Sequence, residues 1–360
     1  MTFSLRNLLK LLSTLYLLQG IPAWAGLISI PEIPVDILPS DAPAIPGVDA
    51  EDFIAGTVVT DVDTVEAQVQ PVSSAVSEHL HNIFRFQAAP VQGDGAGAGE
   101  PGQSFWLNYN STDFENTFER TAFDGSSELA LLGYDLALTE NHLVGLAIGS
   151  ESTEIDTAFN NGEMETEGLT VTPYYGWLIS DNWSFDLSFG YSELDTDQFR
   201  VVPEGLGTLS GTTITSGTSS ERSFATANLN GFWTLGDFSF SSRLGYLSMR
   251  NDQDAYIESD GTEVPSASLE FEQTYIGADV AWGRRSQPFL GVTMMKDSSS
   301  DKVVFASGEQ PSDDADSLQL AAGWRYYGDS VSAMLEWSKR DGKEEYLEDG
   351  LWFILRFNSQ

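Results

Sequence analysis

The 360-residue sequence lacks cysteine altogether. This absence excludes disulfide scaffolds, thiol nucleophiles and cysteine-based metal sites. Histidine is nearly as scarce, with three residues, and there is no Gly-x-Ser-x-Gly elbow that would present a serine nucleophile. A hydrolase needs a nucleophile with a base beside it. We therefore expect no enzymatic activity, no catalytic residue, no metal site and no cofactor.

Basic residues are also few. Lys and Arg total 17 against 54 Asp and Glu, which gives a formal net charge of -37. Such a chain repels nucleic acid and attracts cations. Two acidic groups could bind Ca²⁺ or Mg²⁺ through carboxylate oxygens, although neither has EF-hand spacing. They are Asp252, Asp254, Glu258 and Asp260, and then Asp313, Asp314 and Asp316.

After residue 18 the sequence has no long uncharged apolar run, and its mean hydropathy is -0.16. This excludes a bundle of membrane-spanning helices. The N-terminus is different, because Arg6 and Lys10 flank or enter a short apolar run from residue 8 to 18. Small residues then bracket Trp24. Residues 1–25 are predicted to be a signal peptide, so the chain is expected to be exported.

What the sequence has instead is alternation, seen most clearly from Thr172 to Tyr191. Large apolar residues occupy every second position from Trp183 onward, with small or polar residues between them. A period of two predicts strands, and Ser180-Asp181-Asn182 predicts a turn between two of them. In a soluble sandwich the apolar face would be core, but these runs last about ten residues, the length that a tilted strand needs to cross a bilayer.

Aromatic residues flank the same turn. Trp177 and Trp183 lie on either side of it, with Tyr174 and Tyr175 close by. Outer-membrane barrels carry aromatic girdles at the two membrane interfaces. We therefore expect these four side chains to belong to a girdle on a lipid-facing surface.

The pattern repeats to give about twelve strands, an even number as expected of a bacterial barrel. The predicted strands start near Ser104, Ser127, His142, Glu165, Trp183, Glu221, Phe238, Ser268, Gln287, Asp316, Ser330 and Glu345. Short turns alternate with long connections, which are predicted at 111–125, 156–164, 195–220, 251–267, 298–315 and 339–344. Barrels have short periplasmic turns and long extracellular loops, so both ends of the strand set are placed on the periplasmic side.

The region before the strands divides into two parts. Residues 26–63 are rich in Pro and Asp and are predicted to be an extended leader. Apolar residues at helical spacing predict a helix over 64–87, which a Gly-rich linker joins to the barrel at residue 104. The predicted domains are thus a signal peptide over 1–25, a leader over 26–63, a helix with its Gly-rich linker over 64–103 and a barrel over 104–360. The tethered helix is expected inside the pore.

The inward parity of the strands carries charges of both signs, which are expected to line the lumen as hydrated pairs. This mixture argues against a strongly ion-selective pore. The predicted lumen-lining residues are Asp135, Asp186, Asp279, Glu336, Arg243, Arg325 and Arg356.

Several segments resemble a known family in the order in which they occur. LALLGYDLALTENHLVGLAIGSES, TPYYGWLISDNWSFDLSFGY, YIGAD, AMLEWSKR and GLWFILRF are similar to segments of the translocator domains of monomeric type V secretion autotransporters. The resemblance covers about residues 73–357. It implies an all-β barrel in the outer membrane of a Gram-negative cell, with the preceding helix in the pore.

The resemblance also implies partners. It implies a monomer surrounded by lipid and lipopolysaccharide, assembled by the barrel-assembly machinery, for which the aromatic Phe357 would be the signal. The family exports an N-terminal passenger, but fewer than about forty residues separate Ala25 from the helix, so we expect little or no passenger.

Two alternatives stay open. The barrel could be a passenger-less surface module that binds cells or cations, or a passive pore. Some family members cut their passenger at an Asn of the pore helix. Asn82 is placed there but lacks the Asn-Asn pair often found in them, so self-cleavage is not expected.

Overall fold

The computed structural model describes residues 62–88, 102–118, 122–158, 160–202, 211–299, 315–328, 330–343 and 345–358. The predicted signal peptide, nearly all of the leader and the Gly-rich linker over 89–101 lie outside these residues.

Twelve antiparallel strands close into a barrel, which confirms the predicted fold class. Consecutive strands pair, and the first strand pairs with the last. The elements are α1 Val62–Ala88, β1 Gln103–Asn116, β2 Phe123–Thr139, β3 His142–Thr157, β4 Gly162–Ser180, β5 Trp183–Val201, β6 Thr213–Leu235, β7 Phe238–Gln253, β8 Tyr256–Ile257, β9 Glu263–Val264, β10 Ala267–Trp282, β11 Ser286–Ser299, β12 Asp316–Tyr327, β13 Val331–Asp341 and β14 Tyr346–Asn358.

Alternating side chains give the barrel two surfaces. Along β1 exposed and buried residues alternate almost without interruption. Phe105, Leu107 and Tyr109 face outward, while Trp106 and Asn108 are completely buried inside. The same alternation in the other strands produces an apolar outer belt, as expected for a surface that meets lipid.

Several strands continue far beyond the length that a bilayer requires. β5 has 19 residues and β6 has 23, whereas about 9–11 residues cross a membrane. The prediction of a loop over 195–220 was therefore wrong for most of its length, since Asp195 pairs with Ser219 and Gln198 with Ser216. The ladder of backbone hydrogen bonds stabilises strands even where both faces are polar, and polarity alone had suggested a loop.

Two other loop predictions need the same correction. β1 and β2 cover most of the segment from 111 to 125, and pairing runs to Asn116 and Phe123. The segment predicted as a loop over 251–267 contains the ends of β7 and β10 and a small hairpin, β8 and β9. At the opposite end of the barrel the turns are tight, and Gly236 adopts a φ of 64° between β6 and β7, which glycine tolerates readily.

Helix α1 lies inside the barrel and spans Val62–Ala88, close to the predicted 64–87. Its apolar residues Val69, Val72, Val76, Leu80 and Phe84 are fully or almost fully buried. Among the residues that the structure describes, no helix combines the length and apolar character needed to cross a bilayer.

Candidate functional site

The lumen filled by α1 is the candidate functional site. The apolar stripe of the helix joins a buried cluster that includes Trp106, Leu131, Tyr174 and Phe232 on the barrel wall. The helix lies mainly against β1, β2, β4 to β7 and β10. The helix therefore packs against one side of the lumen wall.

A buried carboxylate on β2, Asp135, forms the first polar anchor of the helix. Nε2 of His79 lies 3.1 and 3.0 Å from the two carboxylate oxygens and donates to them. The hydroxyls of Ser104 and Tyr174 also donate to Asp135, each at 2.5 Å. Arg356 approaches to 3.6 Å. Four groups from α1, β1, β4 and β14 thus meet at one carboxylate, which we call the Asp135 junction.

A second anchor surrounds Asp279 on β10. Nη1 of Arg85, near the C-terminus of α1, donates to Oδ1 at 2.5 Å, and Nη1 of Arg325 donates to the same oxygen at 2.8 Å. The hydroxyl of Ser241 on β7 donates to the other oxygen. Arg85 also donates to Ser239 at 3.1 Å. Two guanidinium groups therefore compensate one carboxylate that is 14% exposed, as a charge largely removed from water requires.

Between these anchors the helix contributes a charge of its own. Oε1 of Glu78 accepts from Nη1 of Arg243 at 2.7 Å. Arg243 then donates through Nε to Asn230, whose amide donates to Asp186 at 2.7 Å. Asn228 donates to the second oxygen of Asp186 at 2.6 Å. This chain of contacts links the helix to β5, β6 and β7.

On the other side of the helix a cavity of about 100 Å³ remains. Glu336, Arg325 and Arg243 line it together with Glu78. Among the described residues, one oxygen of Glu78 and Nε of Arg325 are buried without a hydrogen-bond partner. The charged groups in its wall offer hydrogen-bond partners to water, and a cavity of this volume has room for several water molecules.

The structure thus places all seven predicted lumen residues on the inner surface. Six of them lie in the networks around the helix, and Glu336 lies on the cavity wall. Phe357 faces outward on β14, 47% exposed, opposite Phe105 of β1 and Val331 of β13.

The predicted aromatic girdle is correct in part. Trp177 and Trp183 are exposed on the outer surface. Beside them, the hydroxyl of Tyr175 and Nδ1 of His142 form a hydrogen bond of 2.7 Å. Tyr174 instead points into the lumen and is 4% exposed. Its neighbours on the sequence face outward, so strand alternation requires Tyr174 to face inward.

Sequence reasoning missed several residues that hold the helix. His79, His81 and Arg85 lie within the helix predicted over 64–87, but the sequence does not identify their partners. Ser104 and Trp106 were not singled out, although both lie on the inward parity of β1. The missed signal was this parity, because the inward-facing residues are the ones that can contact a helix inside the barrel.

The other end of the lumen holds further buried ion pairs. Arg222 on β6 pairs with Glu151 on β3, and both are nearly inaccessible. Arg340 on β13 donates to Asp297 at 3.1 Å and to Gln70 of α1 at 2.8 Å. The N-terminal part of α1 is therefore held at the end of the barrel where the long connections lie.

The β8–β9 hairpin packs on the extension of β5 and β6. Arg200 donates to Glu258 at 2.8 Å, and Gln198 donates to the hydroxyl of Tyr256 at 3.0 Å. Burial raises the pKa of Tyr256. The backbone N–H of Thr262 donates to Asp260 and lowers the pKa of that carboxyl.

The acidic groups do not form a chelate in the part of the chain that is described. No group of three or more His, Asp or Glu residues there has the arrangement to hold a metal ion. Asp313 and Asp314 of the second predicted group lie outside the described residues.

Comparisons with known proteins identify the barrel. A sequence profile described as "Autotransporter beta-domain" matches residues 105–338. A search of curated protein sequences returned no match.

Three solved structures share the fold. The translocator domain of the autotransporter NalP from Neisseria meningitidis is 11% identical with a TM-score of 0.60, covering 82% of this chain and 99% of that one. The β-domain of the Bordetella autotransporter BrkA is 14% identical with a TM-score of 0.60, covering 72% and 100%. The transport unit of AIDA-I from Escherichia coli is 12% identical with a TM-score of 0.50, covering 80% and 98%. With the profile match, these findings show that the chain belongs to the autotransporter β-domain family of outer-membrane transport barrels.

Proposed function

We propose that this barrel carries the segment before α1, residues 26–61, through its lumen in the cell outer membrane and anchors it at the surface. The direction of α1 is the observation that supports this proposal. Arg85 contacts Ser239 and Asp279, next to the tight turn between β6 and β7. Gln70 contacts Met295 and Arg340 near the long connections. The helix therefore directs the chain before it toward the long-loop end, which is extracellular in such barrels.

An epitope tag placed after Leu27 in the intact chain tests export. We expect protease added to whole cells to remove the tag while the barrel stays intact. Protection of the tag until the outer membrane is permeabilised would contradict the proposal. A second tag in the tight turn at Gly236 is the control, because it must stay protected in intact cells.

In this proposal the barrel has no catalytic role. The amide of Asn82 donates to the backbone oxygen of Glu78 at 2.9 Å and contacts the sulfur of Met334 at 3.3 Å. Its oxygen accepts a 3.4 Å contact from Tyr327. None of these neighbours is an ionised base, so a self-cleaving arrangement is not supported. The intact mass of the mature protein should place its N-terminus before α1.

The proposed partners follow from the outer surface. Phe357 is exposed on the last strand and is proposed as the signal for the barrel-assembly machinery.

Above the apolar belt, β1 to β6 carry exposed outward-facing carboxylates, which we call the acidic collar: Asp113, Glu115, Asp124, Glu128, Glu154, Asp156, Glu165, Glu167, Glu193, Asp195, Asp197 and Glu221. The collar lies where a strand leaves the bilayer, so divalent cations would bridge it to the phosphates of lipopolysaccharide. The protein is proposed to act as a monomer.

The acidic collar and the β8–β9 hairpin also favour a second function, a surface module that binds cations or neighbouring cells. Replacing residues 256–264 with a Gly-Ser linker separates the two. Loss of adhesion with unchanged exposure of the tag after Leu27 would support the binding function. Unchanged adhesion would leave export as the function.

A further inference from the structure

The pairing of β1 with β14, the seam of the barrel, differs from every other strand pair. All other neighbouring strands in the barrel are joined by a turn or loop of the same chain, whereas β1 and β14 lie at opposite ends of it. The seam runs from Ser104 opposite Asn358 to Asn116 opposite Tyr346. Since no connection tethers these strands, only noncovalent contacts resist their separation.

One lumenal contact crosses the seam close to its periplasmic end. Nε of Arg356 on β14 donates to the hydroxyl oxygen of Ser104 on β1 at 3.1 Å. That hydroxyl in turn donates to Asp135 on β2 at 2.5 Å. Arg356 also lies 3.6 Å from the same carboxylate oxygen. The Asp135 junction therefore ties the last strand to the first two.

Helix α1 completes this junction through His79. The imidazole donates to both oxygens of Asp135 and stacks on the indole of Trp106, with ring centroids 4.2 Å apart at 20°. The indole nitrogen of Trp106 donates to Tyr174 at 2.7 Å, and Tyr174 donates to Asp135. His79 thus contacts β1 by its ring face and the seam carboxylate by its edge. It is buried, with 1% of its surface exposed.

From this arrangement we infer that His79 couples the docking of α1 to the closure of the β1–β14 seam. With the helix in place, His79 and Tyr174 hold the Asp135 carboxylate in position, and it offers a fixed partner to Ser104 and Arg356. When the helix leaves, Asp135 loses one charge-assisted donor, and Trp106 loses the ring that covers it. The seam then opens more readily than any other strand pair. This inference concerns the barrel itself and does not depend on which segment is exported.

Hydrogen exchange measured by mass spectrometry on the full mature chain in lipid nanodiscs tests the coupling. His79→Phe keeps an aromatic ring for Trp106 but removes both contacts to Asp135. We expect about tenfold faster amide exchange in β1 and β14 around Ser104 and Arg356, because hydrogen bonds to charged groups are among the stronger ones. Exchange in β6 and β7 should stay unchanged and provides the internal reference.

Three further variants sharpen the test. Ser104→Ala removes the bridge across the seam without touching α1 and should accelerate exchange in the same peptides. Arg85→Gln weakens the helix at Asp279, whose side-chain partners among the described residues lie on α1, β7 and β12, and should leave the seam as it is. His79→Gln retains a side-chain donor and should return seam exchange toward that of the parent.

The inference is overturned if His79→Phe accelerates all strands equally or leaves the seam unchanged. It is equally overturned if Arg85→Gln loosens the seam as much as His79→Phe does, because any weakening of the helix would then suffice. Should His79→Phe fail to fold, unchanged seam exchange in Ser104→Ala would still contradict it. Failure of the surface-tag experiment would leave all of these outcomes unaffected.

Discussion

At the scale of single residues, the lumen is shaped by aromatic side chains that lie over glycines of a neighbouring strand. A Cβ built on Gly133 would lie 2.1 Å from the indole of Trp106, and one built on Gly145 would lie 2.1 Å from the ring of Tyr174. These two aromatic residues are the ones that approach Asp135 and His79. The glycines therefore set the depth at which the rings can contact the helix.

Gly133→Ala should destabilise the barrel. The added methyl group must displace Trp106, and overpacking of this kind typically costs about 1–3 kcal/mol. Urea unfolding in lipid bilayers measures the change. Gly291→Ala is the matched control, because its Cβ would meet only ordinary contacts of 3.5 Å or more. Equal stability of the two variants would contradict the packing argument.

A second residue-scale prediction concerns Phe357. Phe357→Ala should reduce the amount of folded barrel in the outer-membrane fraction several-fold if this residue is the assembly signal. Heat-modifiable migration in gels measures the folded barrel. Phe353→Ala removes another outward-facing aromatic residue from β14 and is expected to have a smaller effect. A similar loss in both variants would show that lipid contact, and not recognition, explains Phe357.

The inward-facing charges could be predicted because strand alternation fixes the side of every residue. Their partners could not, because His79 and Asp135 are 56 positions apart and Arg85 and Asp279 are 194 apart. The sequence contains no signal for the rotation of α1 about its axis. That rotation decides which lumenal carboxylate meets His79 and which meets Arg85.

At the scale of elements, α1 has two polar anchors and one apolar face, all on the lumen wall. The helical spacing of its apolar residues predicted the helix correctly. The Gly-rich linker that joins it to β1 indicated that it lies in the pore. The strand extensions were harder to predict, since Ser, Thr and Asp on both faces resemble a loop. Backbone pairing between β5 and β6, which sequence polarity does not report, keeps those residues in strands.

Helix α1 should determine the conductance of the barrel. We expect a large rise in single-channel conductance in planar bilayers when residues 62–88 are deleted, because the remaining lumen would be lined by polar and charged side chains. The double variant Glu78→Gln with Arg85→Gln weakens the contact to Arg243 and the anchor at Asp279 and should give intermediate, fluctuating currents. If the intact chain conducts as well as the deletion, the barrel is a passive pore.

At the scale of the whole molecule, charge is distributed very unevenly. The lumen compensates its carboxylates with arginines, whereas the acidic collar carries one sign of charge. Strand register places some of these carboxylates directly opposite each other, with Glu165 facing Glu154 on β3 and Asp197 on β5. Like charges in opposite positions destabilise a sheet.

Glu165→Gln should therefore stabilise the barrel by about 0.2–1 kcal/mol per opposed pair at low ionic strength. Added Mg²⁺ should reduce this gain, because cations bound at the acidic collar relieve the same repulsion. Thermal unfolding in lipopolysaccharide-containing nanodiscs, with Mg²⁺ or with EDTA, measures both effects. Glu128→Gln is the control, since Glu128 faces Ser111 and Ser152. A gain that is independent of Mg²⁺ would exclude the cation bridge.

The acidic collar has a further consequence, for the permanence of the inserted state. To leave the bilayer toward the periplasm, the barrel would have to draw roughly a dozen carboxylates through hydrocarbon, at about 2.5–3.5 kcal/mol each on insertion scales, or about 30–40 kcal/mol together. Thermal fluctuations do not supply that energy on a cellular timescale. Once folded, each molecule is therefore a permanent resident of its membrane, and its surface density falls only through growth, shedding or proteolysis.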